Sequence, residues 1–251
     1  MPRLYLSGPL FAGMADLPPA AVRHVQALRL RAGDALTLFD GSGGEWEARL
    51  TNPPPAARVE ILRHLPVERE LSPAVTLAVG MPANERMDWL VEKATELGAA
   101  AMQPLMTSRT VLRLEGERAA RRAAHWQAIA QAACEQCGRN RIPAVPAATR
   151  LEAWLASLPP QAGAVPDGAA RCVLSAPGQG QALPFAAWAG ARPAWRTLTV
   201  LSGPEGGLSP EETSLAVRAG FVPLSLGSRV LRAETAPLAL LAALAALSVE
   251  P

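Results

Sequence analysis

Apolar positions recur along this chain at two different periods, and the change of period divides it. In the first part the apolar stretches are short and of strand type. Arg3 to Ser7, Ala35 to Phe39, Glu45 to Thr51 and Arg58 to Leu65 read as strands. Asp40-Gly-Ser-Gly-Gly44 reads as a turn, and Asn52-Pro-Pro-Pro55 as a loop between two of them. One helix interrupts the strands: from Pro18 to Leu30, the residues Val22, Val25, Leu28 and Leu30 form an apolar stripe. Short strands with glycine turns predict a small β-barrel over residues 1–70.

Pro66 to Pro73 reads as a domain edge, and beyond it strands alternate with helices. Val75 to Val79, Ala101 to Met106, Cys172 to Ser175, Thr197 to Leu201 and Phe221 to Leu226 are predicted strands. Asn84 to Leu97 is a predicted helix, with Met87, Leu90, Val91, Ala94 and Leu97 at helical spacing and Gly98 closing it. Glu115 to Cys137 is a longer one, rich in alanine and arginine. The alternation predicts an α/β domain over residues 74–251 with a mainly parallel sheet flanked by helices. The last helix, Ala236 to Leu247, is apolar on nearly all sides, which demands burial in a core or an interface.

Two of the predicted strands run into glycine turns. Leu201-Ser-Gly-Pro-Glu-Gly-Gly-Leu-Ser-Pro-Glu-Glu212 opens a helix, with Ser209 as N-cap, Pro210 at the first helical position and Glu212 closing a capping box. Leu226-Gly-Ser-Arg-Val-Leu-Arg-Ala-Glu-Thr-Ala236 carries Arg229, Arg232 and Glu234. The carboxyl ends of parallel strands are where α/β folds bind ligands, and glycine lets backbone approach a ligand closely. The turns match no nucleotide-phosphate pattern. Lys93, the only lysine, is not in a glycine loop, and Gly178-Gln-Gly180 is half a dinucleotide fingerprint.

Composition narrows the class. With 251 residues, 49% hydrophobic and 18% charged, the chain is globular rather than disordered. The net charge of +2 does not imply bulk nucleic-acid binding. Between Arg109 and Arg141, however, seven arginines face three glutamates. Arg139-Asn-Arg141 closes the long helix, where basic side chains either complement the helix dipole or hold phosphates. Three cysteines exclude a disulfide framework; Cys134-Glu-Gln-Cys137 is half a zinc motif without a second pair, so no metal is expected. The amino terminus lacks a signal pattern, and the final apolar run to Val249 is too short for a membrane span. A soluble cytoplasmic protein is expected.

Four motifs, in order, resemble one family. They are Glu92-Lys-Ala-Thr-Glu-Leu-Gly98, Ala133-Cys-Glu-Gln-Cys-Gly-Arg-Asn-Arg-Ile-Pro143, Leu201 to Gly207 and Leu226 to Thr235; Arg3-Leu-Tyr and Leu38-Phe-Asp-Gly41 fit as well. The chain resembles the RsmE family of ribosomal RNA methyltransferases, a branch of the SPOUT (trefoil-knot) superfamily. That resemblance implies a SPOUT-type knotted α/β domain preceded by a PUA-like RNA-binding barrel. It also implies S-adenosylmethionine as cofactor, N3 of a uracil in 16S (small-subunit) ribosomal RNA as methyl acceptor, and a homodimer with its active site across two subunits.

On this reading Ser175, Leu201, Gly203, Gly207, Leu224, Leu226, Gly227, Val230 and Leu231 hold the cofactor. Uracil N3 carries a proton that must leave before the nitrogen can act as a nucleophile. Glu205 and Glu234 are the carboxylates that could accept it, and Arg232 could stabilise charge on the flanking oxygens. Either glutamate could instead be structural, Glu234 as a helix-start carboxylate. Arg3, Arg86, Arg109, Arg113, Arg139, Asn140 and Arg141 are the expected RNA contacts. A ribose 2′-O-methyltransferase of the same superfamily is the nearest alternative. It typically has a Ser-Leu-Asn stretch in the last helix, where this chain reads Arg232-Ala-Glu-Thr-Ala-Pro237. A Rossmann-type methyltransferase using Gly178 to Gly180, and a non-enzymatic RNA-binding protein with a degenerate pocket, are the others.

Overall fold

The protein, seen in a computed structural model, is described over residues 1–83, 85–160, 168–178, 181–190 and 195–247. Asn84 of the second predicted helix, Gln179 and Gly180 of the half fingerprint, and Val249 of the last apolar run lie outside the described residues. The chain forms two compact units, Met1–Glu70 with Gln131–Ile142, and Leu71–Ala130 with Pro143–Pro251.

The first unit contains β1 (Arg3–Tyr5), β2 (Gly13–Asp16), α1 (Pro19–Ala27), β3 (Ala35–Phe39), β4 (Glu45–Asn52) and β5 (Arg58–Leu65). They make a five-stranded sheet in the order β1-β3-β4-β5-β2, with β1 parallel to β3 and every other pair antiparallel. Strand alternation supplies the core: Leu4, Leu36, Leu38, Leu50 and Val59 are fully buried, joined by Val25 of α1. Strand β2 was not predicted. Its residues Gly-Met-Ala-Asp carry no strand signal, and Met14 stays exposed; pairing to β5 across more than forty residues makes it a strand.

The segment 131–142 is fastened into this unit by a charged clasp. Glu45, buried between strands, takes bonds from Arg3 at 2.7 Å and Arg69 at 2.9 Å. Arg3 also donates to Asn140 Oδ1 at 2.6 Å, while Asn140 Nδ2 donates to the Val67 carbonyl at 2.6 Å. Arg139 pairs with Glu70, Arg141 with Glu68, and the Tyr5 amide donates to Glu135 at 2.9 Å.

The second unit contains β6 (Ala74–Gly80), α2 (Arg86–Glu96), β7 (Ala99–Met106), α3 (Gly116–Cys137), β8 (Thr149–Arg150), α4 (Leu151–Ser157), β9 (Ala169–Leu174), β10 (Leu183–Pro184), α5 (Phe185–Gly190), β11 (Thr197–Ser202), α6 (Pro210–Arg218), β12 (Val222–Ser225) and α7 (Thr235–Leu247). The last turns of α3, from Gln131, group with the first unit. The seven strands are all parallel, in the order β10-β12-β9-β11-β6-β7-β8. Ala74–Gly80 is apolar almost throughout because both faces of a parallel sheet are covered, and for the same reason Thr197–Ser202 ends in three consecutive buried residues, Val200 to Ser202. Strand β9 lies between β11 and β12, so the chain steps over a strand between the two glycine turns.

Helix α2 buries Met87, Leu90, Val91 and Ala94 as its spacing predicts, and Gly98 ends it at φ +92°. Helix α6 has the predicted capping box, with the Ser209 side chain on the Glu212 amide and the Glu212 side chain on the Ser209 amide. Helix α7 buries Leu238, Leu240, Leu241 and Leu244 in its own unit, while Ala239, Ala242, Ala246 and Leu247 remain exposed. No helix of the described residues is long and apolar enough to cross a membrane.

Candidate active site

Because β12, β9 and β11 are adjacent and parallel, their carboxyl ends open on one edge of the sheet. The loops that follow them, 174–177, 202–208 and 226–233, line a cavity of about 750 Å³. Arg109 from the β7–α3 loop and Pro210, Thr213 and Ala236 complete the wall. The size is that of a small-molecule pocket.

Seven of the nine expected cofactor residues line this cavity: Ser175, Gly203, Gly207, Leu226, Gly227, Val230 and Leu231. Leu201 and Leu224 do not. Both are fully buried within β11 and β12, where alternation turns their side chains into the core, and Leu201 packs in a cluster with Ala78, Val173 and Phe221.

Glycine serves the loop after β11 in two ways. A Cβ on Gly203 would stand 2.7 Å from the carbonyl carbon of Gly207 and the amide of Leu208, so the loop doubles back on itself too tightly for any side chain. A Cβ on Gly80, at the end of β6, would stand 2.5 Å from Pro204 Cδ. Gly207, in contrast, has φ +68° with open space where its Cβ would be.

The three residues expected at the reaction are differently engaged. Glu205 Oε1 accepts from the Ala83 amide at 2.9 Å and from Arg86 Nη1 at 2.9 Å. Burial pushes its carboxyl up, but the Ala83 amide, its own amide and Arg86 outweigh that and hold it below the usual carboxylate range. Glu234 is buried; its Oε1 lies 4.0 Å from Arg86 Nε, and its Oε2 has no hydrogen-bond partner among the described residues. Arg232 lines the cavity, is exposed, and has no carboxylate within ion-pair distance among the described residues. Arg86, expected on RNA, therefore stands between two carboxylates expected at the chemistry.

The remaining expected RNA contacts fall in both units. In the second, Arg109 Nη1 donates to the carbonyl of Gly206 at 2.6 Å, and Arg113 Nη1 to that of Thr107 at 3.2 Å. In the first, Arg139 and Asn140 are buried and Arg3 nearly so, all three held by the clasp; only Arg141 keeps a half-exposed guanidinium. Sequence reasoning treated Glu212 as a cap alone. It also accepts from the amide and hydroxyl of Ser108, at 2.6 and 3.0 Å, a partner 104 positions away that no local pattern reveals. Among the described residues no group of three or more His, Cys, Asp or Glu is arranged to hold a metal ion. Cys134 is buried, and burial pushes its thiol up to about 12.

Residues 69–245 match the family described as RNA methyltransferase domain, and residues 17–62 the RNA methyltransferase PUA domain. Fold, cavity and match define an RNA methyltransferase with an amino-terminal PUA domain. A Synechocystis protein named ribosomal RNA small subunit methyltransferase E is 36% identical over 235 residues, 92% of this chain and 72% of that protein. The chain belongs to the ribosomal RNA small subunit methyltransferase E family. Among solved structures, the Neisseria gonorrhoeae ribosomal RNA small subunit methyltransferase E bound to S-adenosyl methionine has a TM-score of 0.87 at 38% identity, over 98% of both chains. A Legionella pneumophila structure, in complex with the cofactor SAM, gives 0.85 at 33%, over 98% of this chain and 97% of that one.

Proposed function

We propose that this protein transfers a methyl group from S-adenosylmethionine to N3 of a specific uridine in 16S ribosomal RNA. The observation that carries the reading is the cavity at the carboxyl ends of β9, β11 and β12, in a chain of a family with a cofactor-bound relative. The residues fit such a ligand. Leu226, Val230 and Leu231 offer an apolar wall, and Ser175 with the backbone of Gly203, Gly207 and Gly227 offers a few polar anchors. When bound, the cofactor supplies a methyl carbon made electrophilic by the sulfonium charge.

The chain's own groups divide the remaining work. Glu234, which lies between the lining residues Ala233 and Ala236 without itself lining the cavity, and whose buried Oε2 has no hydrogen-bond partner among the described residues, is the acceptor for the uracil N3 proton. Arg232, with no carboxylate in ion-pair reach among the described residues, stabilises the charge that then develops on the flanking oxygens. Glu205, already bonded twice, positions the glycine loop and Arg86 rather than taking a proton. For RNA phosphates we favour Arg113 and Arg141 over Arg3, Arg139 and Asn140, because an exposed ion pair such as Arg141–Glu68 exchanges partners at little cost. The exposed Ala239, Ala242 and Ala246 form an apolar stripe on α7 that supports a homodimer, and a ribosomal RNA substrate supports a cytoplasmic location.

The decisive measurement is mass spectrometry of ribosomal RNA nucleosides from a strain lacking the protein. Loss of N3-methyluridine, restored by the wild-type gene, supports the reading; intact N3-methyluridine with another mark lost overturns it. Sedimentation at micromolar concentration tests the dimer, and a fully active monomer would refute it.

A further inference from the structure

The loop between β7 and α3 is braced internally and then fastened to the glycine loop. Thr107 and Thr110, both buried, share a hydroxyl–hydroxyl bond of 2.9 Å, and the Thr107 amide donates to Thr110 Oγ1 at 3.0 Å. From this braced turn two consecutive residues reach out. Ser108 gives both its amide and its hydroxyl to the buried carboxylate of Glu212. Arg109 lays its side chain along Gly206, where an added Cβ would meet Arg109 Cδ at 3.2 Å, and donates to the carbonyls of Gly206 at 2.6 Å and Leu208 at 3.4 Å.

These bonds fix two peptide planes at both ends. In the Gly206–Gly207 peptide the carbonyl is held by Arg109, and the N–H donates to the Pro204 carbonyl at 2.8 Å. In the Leu208–Ser209 peptide the carbonyl faces Arg109, and the N–H donates to Glu212 Oε2 at 2.8 Å. A glycine-rich loop loses more conformational freedom on ordering than any other sequence, so it needs external restraint to present a fixed surface. Loop ordering before binding lowers the cost of binding.

We propose that Arg109 is a positioning residue: with Ser108 it forms a strap that pre-orders the cofactor loop, and its guanidinium serves that loop rather than an RNA phosphate. The proposal rests on the cofactor reading above, which it deepens by saying what sets the loop's shape.

The test compares wild type, Arg109→Ala and Arg109→Lys as full chains. Amide hydrogen exchange across residues 203–209 is measured without ligand, S-adenosylmethionine affinity by calorimetry without RNA, and ribosomal RNA binding across a salt series. In Arg109→Ala, exchange in the loop should quicken while β6 and β11 stay protected, and cofactor affinity should fall by roughly ten-fold, the loss of one charge-assisted bond. The salt slope of RNA binding should not change. Arg109→Lys should recover part of the cofactor affinity, since an ammonium can still reach one carbonyl. Unchanged loop exchange, or a salt slope reduced by about one unit with cofactor affinity intact, would overturn the proposal. The exchange arm needs no cofactor, so absence of S-adenosylmethionine binding in the wild type would sink the functional reading while the strap is still judged on its own.

Discussion

Glu205 Oε1 and Arg86 Nη1 lie 2.9 Å apart, and that bond removes one of two carboxylates from the role of base. A carboxylate that accepts from an amide and a guanidinium loses both contacts' stabilisation when it takes a proton. Its pKa is accordingly lowered, the direction opposite to what a base acting near neutrality needs. Glu234 faces the same guanidinium only at 4.0 Å, and its other oxygen has no hydrogen-bond partner among the described residues. Glu234→Gln should therefore lower the single-turnover methylation rate at saturating RNA and cofactor by roughly 10²–10⁴-fold. Glu205→Gln should lower it by much less and act mainly on cofactor affinity. Any acid limb of the rate profile above pH 5 should persist in Glu205→Gln, because a lowered Glu205 is already ionised there. Equal losses in the two variants would return Glu205 to the chemistry.

The glycines at 203 and 207 should fail for different reasons. Gly203→Ala drives a Cβ against the loop's own backbone at 2.7 Å, so the loop must open. The ligand-free melting temperature should drop, by an overpacking cost of about 1–3 kcal/mol, along with cofactor binding. Gly207→Ala meets no atom within 4 Å but sits at φ +68°, which costs about 1–2 kcal/mol for a residue with a Cβ. Gly207 lines the cavity, so a change of its backbone there should lower cofactor affinity by at least about ten-fold. Thermal shift with and without S-adenosylmethionine checks both. A Gly203→Ala protein that melts like wild type would show that the self-contact is not what glycine serves there.

Much of this was legible in the chain because it is local. Strand alternation delivered β3 and β5 with their observed limits, and helical spacing with Gly98 delivered α2. Two of the three cavity loops, 202–208 and 226–233, were readable as glycine turns after apolar strands; the third, at Ser175, carries no such mark and followed only from the family resemblance. What was not readable depends on distant partners. Arg139, Asn140 and Arg141 looked like a basic helix end, and only the fold reveals Glu70, Val67 and Glu68 waiting for them about seventy positions earlier. Leu201 and Leu224 stand next to last in their strands and are fully buried, and a strand's facing is set by its neighbours as much as by its own pattern. The Ser108–Glu212 bond is of the same kind.

Glu45 should give the first unit a distinct acid sensitivity. Burial alone would push its carboxyl up from 4.5; bonds from Arg69 and Arg3, and their charges, outweigh that and hold it at about 2. A folded pKa below the unfolded one contributes stability that is complete above about 4.5 and disappears as pH falls toward 2. Glu45→Gln should therefore be less stable than wild type at pH 7 in urea. The gap should narrow between pH 4.5 and 2, where the wild type loses the same interaction. A gap that stays constant over that range would mean the charge of Glu45 contributes nothing.

Arg139 decides what the helix-end arginines are for. Its guanidinium is buried against Glu70, in the segment that the clasp holds to the amino-terminal strands. Removing one partner of a buried ion pair strands the other charge, at a cost of roughly 3–5 kcal/mol. Arg139→Ala should lower the urea midpoint sharply. Replacing both partners by apolar residues, Arg139→Met with Glu70→Leu, leaves no stranded charge and should recover most of the loss. Neither variant should alter the salt slope of ribosomal RNA binding, since a guanidinium that never meets phosphate releases no counterion. If Arg139→Ala keeps wild-type stability and reduces that slope by about one unit, the side chain must leave Glu70 in the complex. The clasp would then be a store of RNA contacts rather than a fastening.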